Sequence, residues 1–354
     1  MSPKFRKVHD AYLAESQKFF VNEYIHYMTS KIKQHRDSAF RKNGLAAILI
    51  FIFASFYVWI PYEALRGGKE FRDYQNYVDT FSKESFVLKK SGDSIKGYIS
   101  NEILWDFTVR SGMSLLSAGP SNVLSIVSFI VIASMAAYVR RGAGWFWILL
   151  LFNPLVIDFV MSQCRMAFGM SLFYGSLLTK RKKILIFAMV ASIFVHTAMI
   201  PITAFYWIGW WMFRGAGMGR RPIIAVFCLI GVGVLVALLI GPFQSIIRIL
   251  IEDDRRYGEV TERSSFVYSL FWMMLLPLFA FLNPSANRIA NNAFVTVILS
   301  VFVTSVIFQF YGIRFIAASF PSIICAVSSL NPPIRNYVLG SLITFTGVQW
   351  IYWT

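Results

Sequence analysis

The sequence predicts an all-α fold, a polytopic integral membrane protein of about eleven transmembrane helices. The first observation behind this is composition: 56% of residues are hydrophobic and only 15% charged, and mean hydropathy is +0.57. Soluble domains carry about 25% charged residues. The second is spacing. Apolar runs of roughly 18 to 20 residues recur along the chain, each long enough to cross about 30 Å of hydrocarbon. Such runs must be helical, because no water is present to satisfy an open backbone. The third is where the net charge of +16 sits. It falls in short clusters between runs: Arg140-Arg141, Lys180-Arg181-Lys182-Lys183, Arg220-Arg221, Arg288 and Arg335. That is the positive-inside pattern, which orients helices and places the N-terminus on the cytoplasmic side; it does not point to nucleic acid.

Residues 1–43 are basic and polar, and the charged opening predicts no cleavable signal peptide. Leu13, Phe20, Tyr24 and Met28 recur at helical intervals. They fit an amphipathic helix on the cytoplasmic leaflet with Lys18, Lys31 and Lys33 at the headgroups, or an ordinary solvated tail. The multi-span domain occupies 44–354, and its first span runs from about Gly44 to Pro61. An outer loop at 62–118 follows, and its length predicts short helices of its own. Later spans are expected near 119–138, 143–160, 163–179, 184–200, 202–213, 222–241, 266–282, 293–311, 314–330 and 336–353, with a second outer loop at 242–265. The run at 202–213 is too short to cross alone, so it is either tilted or merged with its neighbour across Pro201. Pro154 and Pro321 lie inside runs and predict kinked or discontinuous helices. Cys164, Cys228 and Cys325 have neither disulfide nor metal-ligand spacing and read as small core residues.

Ionisable groups at membrane depth cost roughly 3 kcal/mol each, so those that remain are candidates for function. On this topology Arg165, His196 and Arg314 all fall toward the outer end of their runs. The 242–265 loop adds Arg248, Arg255, Arg256 and Arg263, and the 62–118 loop adds Arg72, Asp73 and Glu102. Arginines kept outside against the orientation rule point to an anionic ligand. Arginine suits phosphate, since its planar fork donates paired hydrogen bonds and stays charged. The competing reading is that these arginines, Arg165 and Arg314 included, reach headgroups or pair with Asp253, Asp254, Glu259 and Glu262. His196 is the one histidine within an apolar run; it can move a proton near neutral pH or serve structurally. Asp73 and Glu102 are candidate general bases for a sugar hydroxyl, with a helix-capping role for Asp73 and a surface position for Glu102 as the alternatives. No phosphate loop, HExxH, GxSxG or DxD cluster occurs, which argues against an ATP-driven pump and against a synthase fed by nucleotide sugars. No cofactor is expected.

RDYQNYVDTF (72–81) and NEILWDF (101–107), with NPLVIDFVMSQCRMAFG (153–169), FVHTAMI (194–200) and YGIRF (311–315), together resemble the EpsG-like exopolysaccharide polymerases, relatives of the Wzy O-antigen and capsule polymerases. Where such proteins often read RQxxA, this chain has Arg165-Met166, with Gln163 just before. The resemblance implies a GT-C-like inverting glycosyltransferase of the bacterial cytoplasmic membrane. Its substrates would be oligosaccharide repeat units on undecaprenyl pyrophosphate, joined at the outer face. Arg165 and Arg314, with Arg72, Arg255, Arg256 and Arg263, would hold the pyrophosphate, and Asp73, Glu102 or His196 would activate the acceptor. It also implies a chain-length regulator and a flippase as partners, and no metal. Three rivals stay open: a lipid-linked oligosaccharide flippase or other transporter, an O-antigen ligase, and a membrane acyltransferase. A transporter would line a cavity with charge through the full membrane depth, whereas here charge gathers toward one face.

Overall fold

A computed structural model describes residues 44–82, 102–179, 181–212, 222–243, 266–281, 289–310 and 312–354, with the backbone alone at Arg72, Pro222, Phe266, Val267, Phe281, Ile289 and Ala290. The chain divides into two compact units, residues 1–53 and 54–354. Of the first unit only the opening of helix α1 (Gly44–Trp59) is described. The expected amphipathic segment at 1–43 and most of the 242–265 loop lie outside the described residues.

The described residues are all-α. Within 62–118 three short helices appear, as the length of that loop predicts: α2 (Tyr62–Leu65), α3 (Arg72–Ser82) and α4 (Ile103–Leu116). Then come α5 (Pro120–Gly142), a 3-10 segment (Phe146–Phe152), α6 (Pro154–Ser162), α7 (Cys164–Leu178), α8 (Lys182–Val195) and α9 (Met199–Trp210). The chain continues with α10 (Pro222–Ile240), α11 (Phe266–Phe281), α12 (Ile289–Ile307), α13 (Ile313–Ser328) and α14 (Pro332–Trp353). Two of these, α5 and residues Ile223–Ile240 of α10, are long and apolar enough to cross a membrane. The count rises to three if α6 and α7, bent by 105° at their break, form one span. Phe187, Phe227 and Met274 are more than half exposed, an outward apolar surface of the kind that lipid covers.

The run expected at 143–160 is not one helix. It winds as a 3-10 segment to Phe152 and restarts at Pro154. Proline suits that first helical position, where no N–H is needed. A break in apolar surroundings must have its polar groups satisfied by protein, and side chains from two other helices do this. Tyr57 of α1 donates to the Leu151 carbonyl at 3.0 Å. Trp350 of α14 donates its indole N–H to the Phe152 carbonyl at 3.0 Å. Asn153 caps α6 by accepting from Leu155 N, and its amide donates to Thr346 and Gln349.

A second expected break moves. The sequence places it at Pro201, but α8 ends at Val195 and α9 starts at Met199, so the discontinuity falls at His196–Ala198. Pro201 lies in the first turn of α9, where its missing N–H has no intrahelical partner to lose. Pro321 sits inside α13, as expected, and Pro277 inside α11.

Helix α12 is buried on nearly all sides and packs against α9, α10, α11 and α13. Its approach to α10 is backbone-close: a Cβ at Gly233 would lie 2.7 Å from the Val297 carbonyl oxygen. Small residues allow such contact where both helices are apolar. Gly233→Ala is therefore expected to lower stability by about 1–3 kcal/mol through forced separation; thermal unfolding in detergent measures it.

The bundle has two chemically different ends. At one, Arg141 donates to the Leu178 carbonyl at 2.5 Å, closing the C-terminus of α7, where cations complement the helix dipole. Arg140 covers the Trp145 ring, and the basic turn into α8 lies beside α7's end. Arg165 lies at the opposite end of α7, about 20 Å away at 1.5 Å per residue.

Candidate functional site at one end of the bundle

The far end of α7 collects the candidate residues. Helix α4 opens at Glu102, whose backbone is left-handed with φ of 53°. This conformation is uncommon for a side chain other than glycine, asparagine or aspartate, and strained backbones of this type gather at functional positions. Glu102, Trp105 and Val109 are spaced for one helix face, and all three are buried. Trp105 anchors that face by ring contacts with Tyr77 and Phe81 of α3 and Phe168 of α7. The carboxylate of Glu102, 1% exposed, is thereby fixed beneath the surface. The alternative that placed Glu102 on the surface is corrected: the α4 turn folds it inward.

Two side chains, a guanidinium and an imidazole, meet that carboxylate. Arg165 Nη1 donates to Oε2, and His196 Nδ1 pairs with Oε1. Arg165 comes from the first turn of α7, directly after the bend at the buried Gln163. His196 comes from the break between α8 and α9 that its own extended backbone forms. Arg165 also donates from Nε to the Tyr77 hydroxyl at 3.0 Å, and its guanidinium lies 5.3 Å from the Tyr77 ring centroid. Burial pushes the Tyr77 hydroxyl above its ordinary range, against the opposing pull of Arg165.

One turn back along α3, Asp73 reaches Arg314 of α13, with 3.6 Å between Nη2 and Oδ2. Asp73 and Tyr77 are four residues apart, about 6 Å along the helix axis, so the two arginines are tied to successive turns of α3. Asp73 is the second residue of α3, where a carboxylate complements the dipole. Arg314, like Arg165, occupies the second residue of its helix. Both cations therefore sit at the positive end of a helix dipole, a placement that costs each roughly 0.3–1 kcal/mol. Each cation is matched by a carboxylate, Arg165 by Glu102 and Arg314 by Asp73, beside the unpaired first-turn N–H groups of a helix start.

Tyr77 is a site residue that sequence reasoning passes over, though its i+4 spacing from Asp73 in RDYQNY marks it. Asp106 is a second. Burial raises its carboxyl above the usual range, opposed by Arg110 and Arg165 and reinforced by Glu102. The signal for Asp106 is its i+4 spacing to Arg110 in α4. Among the predicted site residues, Asp73, Glu102, Arg165, His196 and Arg314 come together. The backbone of Arg72 opens α3, and Arg255, Arg256 and Arg263 lie outside the described residues. No protein-family model, curated protein or solved structure matches the chain.

Proposed function

We propose that the chain is a membrane-embedded inverting glycosyltransferase of about eleven spans, a polymerase of oligosaccharide repeat units carried on undecaprenyl pyrophosphate. It works at the outer face of a bacterial cytoplasmic membrane, with the N-terminus inside and a GT-C-like architecture, and its product is an exopolysaccharide, capsule or O-antigen. The observation that supports this reading most is the pair of arginines in the first turns of α7 and α13, each facing a carboxylate, at the end of the bundle away from the Arg141 cluster. A helix terminus reinforced by arginine favours an anionic ligand.

In this reading the acceptor hydroxyl attacks the anomeric carbon of the growing chain as the bond to the lipid pyrophosphate breaks. The new glycosidic bond takes the oxygen, the departing pyrophosphate keeps the electron pair, and the proton passes to a base. Arg165 and Arg314 meet the charge that builds on the leaving group, and such preorganised donors act most strongly in the transition state. His196 is the base best suited to take the proton. Both oxygens of Glu102 are engaged and its side chain is 2% exposed, whereas the His196 side chain is 18% exposed and uses only Nδ1. Glu102 then fixes the tautomer that leaves Nε2 open and stabilises the imidazolium, the role a carboxylate plays behind a catalytic histidine.

Arg314→Ala tests the leaving-group role with little confusion from folding. Its side chain is 42% exposed and that of Asp73 36%, so the pair contributes at most about 1 kcal/mol to stability. Unchanged membrane levels with polymer yield down about 10²-fold or more are the expected outcome on gels. Full-length polymer from this variant would contradict the role.

A further inference from the structure

A third arginine at this end of the bundle has a different environment. Arg66 follows α2, and its guanidinium lies against two neighbouring aromatic rings, 4.7 Å from the Phe71 centroid and 5.0 Å from that of Trp353, whose own centroids are 6.4 Å apart. The fold produces this contact locally. Gly67 and Gly68 adopt φ of 67° and 82°, which glycine alone enters freely, and Gly68 N donates to Glu63 O at 2.9 Å. The reversal returns the chain so that Phe71 covers the guanidinium. Trp353, at the end of α14, stands beside Phe71 and meets Tyr62 as well, with the Tyr62 and Trp353 ring centroids 6.2 Å apart.

Arg165 and Arg314 each face a carboxylate; Arg66 faces none within ion-pair distance among the described residues. Its Nε and Nη1 are buried without a hydrogen-bond partner, and so is the hydroxyl of Tyr62, a residue only 3% exposed. Aromatic faces hold the cation but do not replace acceptors for its N–H groups. Buried polar groups are ordinarily paired, and an orphaned charged donor is costly. Three orphaned donor groups thus belong to two side chains one helical turn apart that both meet the Trp353 ring. The group that completes them carries acceptor oxygens and negative charge.

We propose that Arg66 and Tyr62 form a second oxyanion site, separate from Arg165 and Arg314, that takes the phosphate of a membrane lipid at this end of the bundle. Its position supports a lipid source. Phe71 lies two residues before Asp73, which pairs with Arg314, so these rings stand beside the Arg314 corner. The aromatic walls then receive the first carbons of the lipid while the donors receive its phosphate. The site does not depend on the polymerase reading, and its test measures binding alone.

The test uses the full chain in neutral phosphatidylcholine nanodiscs, with phosphatidic acid as one probe and inorganic phosphate as the other. Native mass spectrometry counts retained molecules for wild type, Tyr62→Phe and Arg66→Lys. Tyr62→Phe removes only a hydroxyl that no protein group uses, and Arg66→Lys keeps the charge but loses the fork; melting curves check folding of both. The expected result is retention of phosphatidic acid by the wild type and a loss of about tenfold or more in each variant. Inorganic phosphate binding that the variants lose, without lipid retention, overturns the lipid source. Equal retention by all three proteins in both arms overturns the site.

Discussion

Arg165→Ala is expected to reduce polymer formation by about 10²–10³-fold, the effect of removing one preorganised donor from a developing anion. The same substitution strikes the fold, because Glu102 is buried and loses its guanidinium partner. Removing one member of a buried pair costs about 3–5 kcal/mol, so protein levels alone could produce the loss. The double variant Arg165→Ala with Glu102→Gln separates the causes. The introduced amide carries no charge to strand and still offers an oxygen to His196 Nδ1. The double variant is expected to regain membrane abundance and not polymer. Recovery of polymer together with abundance would make Arg165 a structural counter-ion. The comparison is a double-mutant cycle across a direct contact, where non-additivity is expected.

His196→Ala is expected to lower the rate by about 10²–10⁴-fold, the range for a positioned general base. The fold is better protected here, since Arg165 still meets Glu102 Oε2. Glu102→Gln should have a smaller effect than His196→Ala, because an amide oxygen at that position still accepts from Nδ1 but no longer stabilises the imidazolium. A repeat-unit coupling assay with purified protein and lipid-linked substrate measures the order. If Glu102→Gln is the more damaging of the two while both proteins stay folded, the carboxylate itself is the base.

The sequence carries much of this site because several of its residues obey helical spacing. Asp73 and Tyr77 are one turn apart in RDYQNY, and Glu102, Trp105 and Val109 line one face of NEILWDFTVR. Arg165, His196 and Arg314 stand out because charge is rare in apolar runs. The joining of these pieces is not legible there. Nothing local says that Glu102 turns inward, since its left-handed backbone and the Trp105 anchor are tertiary facts. The break at His196 is misplaced to Pro201 for a similar reason. Proline is a strong signal, but at a helix start it costs little, and the real discontinuity sits where His196 is drawn to Glu102. The broken run before Pro154 is half legible. Proline marks it, while Tyr57 and Trp350, which satisfy its carbonyls, are some 94 and 198 residues away in sequence from their acceptors. Spacing and charge say which residues are out of place; only packing says which of them meet.

The segregation of the two ends has a functional consequence as well. Arg141 closes one end of α7 by serving the Leu177 and Leu178 carbonyls, as a cation at a helix C-terminus should. Arg165 and Arg314 stand at helix starts, where folding alone would not put them. That asymmetry sets an arginine that serves carbonyls at a helix C-terminus apart from two that face carboxylates at helix starts, the contrast on which the proposed ligand role rests.

The most direct test of the central claim is polymer length in cells that depend on this chain. It compares wild type, Arg314→Ala and the Arg165→Ala, Glu102→Gln double variant, with membrane abundance checked and an impermeant label reporting lipid-linked units at the outer face. The account predicts that both variants remain in the membrane while long polymer collapses to single lipid-linked units exposed outside. Long polymer from both variants, or units that never reach the outer face, would contradict it; the second outcome would make the protein a transporter with these arginines along its path.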